Sequence, residues 1–111
     1  MSISINGSGC LVLVSPVPDD ILALAYPHFT VEEAPDGGLW LTLSPYPEAY
    51  DEEGVQSFLR NLIPYVARGH IDCMLEIAPG HVVKWSYRFV GTDCYRSHSA
   101  GSCTACSRIN K

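Results

Sequence analysis

The chain has 111 residues, 47% of them hydrophobic, and a formal net charge of −5. That length suits one domain with a modest core, and no apolar run approaches the roughly 20 residues of a membrane-crossing helix. The acidic balance argues against nucleic acid as a partner of the main body, because phosphates and carboxylates repel.

The charge is unevenly spread. Residues 1–93 hold all twelve acids against Arg60, Arg68, Lys84 and Arg88, a formal −8. Residues 94–111 hold Arg96, Arg108 and Lys111, a formal +3. Residues 1–6 have no basic stretch ahead of an apolar one, so they do not read as a secretion signal. Cys10 and Cys73 fall in apolar, strand-like segments, where a thiol behaves as a small hydrophobe. Five cysteines, an odd number, do not complete a disulfide framework. These features set the expectation of a cytoplasmic protein, in the host cytosol if the chain is phage-encoded.

In chain order, the apolar run Cys10-Leu11-Val12-Leu13-Val14 closes a first strand from Ile3, with Gly7 and Gly9 as bending points. Pro18-Asp19-Asp20 opens a short helix that Pro27 ends. Residues 28–34 read as a strand. The turn Pro35-Asp36-Gly37-Gly38 leads into a second one, where Leu39, Leu41 and Leu43 alternate with Trp40 and Thr42. After a proline loop, Asp51 caps a helix with Glu52 and Glu53 in its first turn. Val55, Phe58, Leu59, Leu62, Ile63 and Val66 give that helix one apolar stripe, interrupted by Pro64.

Two final strands alternate clearly, Ile71-Cys73-Leu75-Ile77 and Val83-Trp85-Tyr87-Phe89. One apolar and one wet face is the antiparallel pattern. Pairing Ile77 with Val83 would oppose Glu76 to Lys84 and Asp72 to Arg88. The order predicts an α+β domain, β-α-β-β-α-β-β, over residues 1–91, with a Cys/His-containing C-terminal tail over 92–111. Either a ferredoxin-like sandwich with an added strand or an antiparallel sheet under one principal covering helix satisfies it.

The stretch Gly69-His70-Ile71-Asp72-Cys73 through Trp85-Ser86-Tyr87-Arg88-Phe89 resembles the end of certain small actinobacterial and phage proteins of uncharacterised function. The resemblance spans residues 69–89, about a fifth of the chain. It implies a similar terminal hairpin, and it brings no activity and no site residues.

The tail holds the one cluster with recognisable chemistry. Cys94, His98, Cys103 and Cys106 are spaced C-x3-H-x4-C-x2-C, and four such groups can hold zinc tetrahedrally. The competing reading is a Ser/Gly/Cys extension that binds nothing. His70 and Asp72 share a strand face and could exchange a proton, but a His beside an Asp on a solvent face is more often just a hydrogen-bonded surface pair. No nucleophile elbow, phosphate loop or zinc-protease helix is present. Trp40 stands out of phase with the leucines beside it. Tyr46 and Tyr50 lie among Glu48, Asp51, Glu52 and Glu53. With Glu32, Glu33 and Asp36 these residues form a candidate interaction surface, aromatic anchors ringed by acids that steer a basic protein.

The reading is a non-enzymatic protein-binding module, of the size and charge of phage-encoded inhibitors of host defence and of immunity proteins. One alternative is a zinc-binding adaptor whose basic tail contacts nucleic acid. Another is a small enzyme with a site assembled from distant residues.

Overall fold

The computed structural model describes residues 4–26, 28–45, 50–100 and 103–109, and the side chains of all of these except 98–100 and 103–107. The elements are β1 (Ser4–Leu13), α1 (Asp19–Leu22), β2 (Phe29–Glu33), β3 (Leu39–Leu43), α2 (Glu52–Leu62), β4 (Val66–Ala78), β5 (His81–Val90), β6 (Asp93–Ala100) and β7 (Cys103–Arg108). The described strands form one seven-stranded sheet in the order β2-β3-β1-β4-β5-β6-β7. Every described pairing in it is antiparallel. The α+β class is therefore realised as an antiparallel sheet with one principal covering helix. It is not realised through a ferredoxin-like crossover, which needs parallel neighbours.

Helix α2 explains why one face of this sheet is dry. Asp51 accepts a hydrogen bond at Oδ2 from the Gly54 amide (3.2 Å), which satisfies one of the free donors of the first turn. Val55, Phe58, Leu59 and Leu62 follow on one side and are fully buried. The stripe was expected to continue to Val66. Instead Pro64 lies in a 3-10 turn, Ile63–Tyr65, and Val66 already opens β4. Pro64 has no amide hydrogen to donate, so the regular helix stops ahead of it. Helix α1 is a single turn, continued by a 3-10 turn over Ala23–Ala25, and buries only Ala25.

Opposite α2, the sheet contributes Leu11, Leu39, Leu41, Ile71, Cys73, Trp85, Tyr87, Phe89 and Cys94 to the core. The alternate residues, among them Ser8, Trp40, Thr42, His70, Asp72, Ser86 and Arg88, lie on the other face, which no described element covers. Gly9 sits where β1 and β4 approach closely, and a Cβ there would run into the His70 carbonyl and Ile71.

The β4–β5 hairpin has a register two residues from the expected one. Leu75 faces Val83, Asp72 faces Ser86 and His70 faces Arg88, with a shift between Glu76 and Ala78. Ala78 pairs with His81, so the connection is only Pro79-Gly80. Gly80 takes a φ of 79°, which proline followed by a positive-φ glycine accommodates in a type II turn. The tight turn places Ile77 as the extra, bulged residue. The charge pairs Glu76–Lys84 and Asp72–Arg88 are consequently not formed across the strands.

Of the stretch 92–111, read from the sequence as a tail, Asp93–Ala100 and Cys103–Arg108 are built into the sheet. Turn residue Gly91 (φ 60°) leads into β6, which pairs with β5 from Asp93 to Ser99. Strand β7 then pairs with β6. The alternation that announces a strand is hidden here, because the covered row of β6 carries Arg96 as well as Cys94.

Candidate functional site

The acids expected on one surface stand at the two ends of the β2–β3 hairpin. Glu32, Glu33 and Asp36 are at the β2–β3 turn, while Asp51, Glu52 and Glu53 open α2 near the other end of that hairpin. Tyr46 and Glu48 lie outside the described residues. Asp36 Oδ1 accepts from the Gly38 amide (3.0 Å), so its carboxylate helps shape the turn.

Glu52 is turned inward. Its Oε2 accepts from Arg96 Nε (2.8 Å), Tyr87 Oη (2.8 Å) and Gln56 Nε2 (2.7 Å), and its Oε1 accepts from Tyr50 Oη (2.6 Å). Burial alone would raise its carboxyl pKa, but the hydrogen bonds from Tyr50, Tyr87, Gln56 and Arg96 outweigh it and hold it below the usual carboxylate range. Burial, helped by the Glu52 charge, raises both phenols above their ordinary value. The Arg96 guanidinium lies 5.7 Å from the Trp85 ring centre and 6.0 Å from that of Tyr87. This cluster joins α2 to β5 and β6. With a fifth hydrogen bond, from Arg96 Nη2 to Oε1 (3.4 Å), this carboxylate has little left for a partner, and its role here is to hold the molecule together. Trp85 is 6% exposed, and its Nε1 has no hydrogen-bond partner among the described residues.

At the β2–β3 turn the arrangement is different. The end of β1, α1 and the turn enclose a groove of about 560 Å³. Its walls include Leu13, Val14, Val17, Leu22 and Leu39, together with Asp19 and Glu33. Val14 is 65% exposed. Among the described residues neither Asp19 nor Glu33 has a cationic partner. Asp20 adds an exposed carboxylate at the same end, whereas Glu32 pairs with Trp40 and lies on the uncovered face.

The four proposed zinc ligands are distributed over two strands, Cys94 and His98 on β6, Cys103 and Cys106 on β7. Cys94 is fully buried, and burial pushes its thiol up to about 12. The side chains of His98, Cys103 and Cys106 lie outside the described residues. Among the described residues no group of three or more His, Cys, Asp or Glu is placed to hold a metal ion. Cys10, expected in the interior, is exposed on the uncovered face. Its neighbours Gly9 and Leu11 take the inner positions, and the unbroken apolar run concealed that phase.

The uncovered face carries chemistry that the linear sequence did not show. One lateral row runs Trp40, Cys10, His70, Arg88, Tyr95 and Arg108 across six strands. The next row runs Thr42, Ser8, Asp72, Ser86 and Ser97. His70 Nε2 lies 3.4 Å from Asp72 Oδ2, with both side chains well exposed. Ser86 Oγ and Ser97 Oγ are 3.0 Å apart. Trp40, whose phase was ambiguous, is 47% exposed at the side of this face.

No family model, curated protein or solved structure matches the chain. Among the described residues no helix is long and apolar enough to cross a membrane.

Proposed function

We propose that the protein is a non-enzymatic binding module that takes a basic, aliphatic-anchored segment of a protein partner into the groove beside α1. The observation that carries this reading is the groove itself, where aliphatic walls and two carboxylates without cationic partners meet. Aliphatic contacts supply affinity, and unpaired rim acids attract and orient a Lys- or Arg-bearing partner. A neutral metabolite would leave both acids unused. The reading narrows the acidic surface expected from sequence to Asp19, Glu33 and their neighbours, and leaves Glu52 to the interior. The mode of action that fits is occlusion of a basic surface, as by an inhibitor or immunity-type protein in a reducing cytosol.

Selection from a random peptide display library tests it. Recovered peptides should share net positive charge and aliphatic anchors, and should lose binding to the double variant Asp19→Lys/Glu33→Lys. Peptides with no common charge, or binding untouched by the double variant, would refute the reading.

A further inference from the structure

We infer that the uncovered sheet face binds a phosphorylated, hydroxyl-bearing small molecule, with the phosphate on Arg68, His70 and Arg88 and the body in the larger depression beside them. Arg68 faces Val90 and Arg88 faces His70, so the two arginines are diagonal neighbours on adjacent strands. With His70 they line a depression of about 310 Å³. Among the described residues neither arginine has an acidic partner. In a chain of net charge −5, acids are abundant, and two cations left side by side without one repel each other. A phosphate bridging them removes that repulsion, and the planar guanidinium matches its oxygens in pairs.

The small depression, near the lower limit for ligand pockets, has ample room for a phosphoryl group. The rest of the ligand has a place. Asp72 is two residues beyond His70 on the same face, roughly 7 Å along the strand. It lines a second depression of about 660 Å³ with Asn6, Ser8, Thr42, Lys84 and Ser86. Hydroxyl and amide groups both donate and accept, as a polyhydroxylated body requires. Asp72 and Lys84 cancel in charge, which favours a neutral body over a second anion. Trp40, two residues from Thr42 on the same face, adds a flat apolar surface for a ring. Sugar phosphates and nucleoside monophosphates share this chemistry.

Amide chemical shifts of the full chain, titrated separately with inorganic phosphate, ribose, ribose 5-phosphate, AMP and decathymidylate, test the inference. Inorganic phosphate should move Arg68, Gly69, His70 and Arg88 alone. Ribose 5-phosphate or AMP should move these and also Ser8, Asp72 and Ser86, binding at least about tenfold more tightly than phosphate or ribose. Arg88→Gln and, independently, Arg68→Gln should each weaken both about tenfold with the spectrum otherwise intact. Ser86→Ala should reduce only the advantage over inorganic phosphate. AMP binding more tightly than ribose 5-phosphate, with the difference lost in Trp40→Ala, assigns a nucleotide; equal affinity assigns a sugar phosphate. Three results overturn the inference. One is phosphate binding as tightly as its esters, which leaves a nonspecific anion patch. Another is decathymidylate binding where the monophosphates do not, which makes the face a nucleic-acid surface. The last is the absence of shifts on this face.

Discussion

Trp85 concentrates the energetics of the core in one side chain, and two substitutions there should behave very differently. Truncation to Ala leaves a cavity and should cost about 3–5 kcal/mol in denaturant unfolding. Replacement by Phe keeps most of the volume and removes the indole N–H that has no acceptor among the described residues, so it should cost far less. Equal losses for the two would mean that the indole N–H is satisfied. The buried thiols make a second prediction. Burial raises Cys73 and Cys94 to about 12. The native state therefore keeps protons that the unfolded chain releases near pH 8.5. Their stabilising effect is complete below about pH 8.5 and is lost as pH rises toward their native values. Melting temperatures should fall from roughly pH 8.5 upward, and less steeply in Cys73→Ala/Cys94→Ala. Parallel declines would place the alkaline sensitivity elsewhere. Trp85, Tyr87 and Phe89 were readable as core from alternation alone. Cys10 was not, because five consecutive apolar residues carry no phase.

Among the elements, α2 and the β6–β7 hairpin are tied by Glu52 and Arg96. Their side chains are 38% and 23% exposed, so the pair lies between a surface ion pair and a buried one. Arg96→Ala should then cost about 1–2 kcal/mol, above the exposed-pair range and below the fully buried one. Because the native carboxyl is held below its unfolded value, Glu52 stabilises the fold above about pH 4.3 and ceases to do so as pH falls through its native value. Urea unfolding from pH 6 down to about pH 3 should show a steeper loss in the wild type than in Glu52→Gln. Superimposable acid limbs would contradict that role. The helix cap, the apolar stripe and the two hairpin strands were legible because each depends on neighbours in sequence. Register was not. A shift of two residues keeps every side chain on its face, so hydrophobic alternation cannot detect it. The expected register set Arg88 opposite Asp72 and so neutralised on paper the basic cluster that the molecule presents. The Arg96–Glu52 tie was hidden for a related reason, since it joins residues 44 positions apart.

At the scale of the whole molecule, charges of both signs share the uncovered face, while the groove rim carries acid alone. Arg68, Lys84, Arg88 and Arg108 stand on the uncovered face together with Glu32, Asp72, Glu76 and Asp93, and Arg108 lies 3.7 Å from Asp93. The unpaired acids Asp19 and Glu33 gather around the groove at the β2–β3 turn. Composition announced the excess of acid but not this placement, which exists only once the strands are assembled. Long-range steering by that acidic end should show in rates before it shows in affinities. The most direct test of the proposed binding mode is the association rate of a selected basic peptide, followed by stopped flow across ionic strength. The account predicts fast association that slows steeply with added salt for the wild type. It predicts slow and nearly salt-independent association for Asp19→Lys/Glu33→Lys. Indistinguishable salt profiles for the two proteins would contradict it.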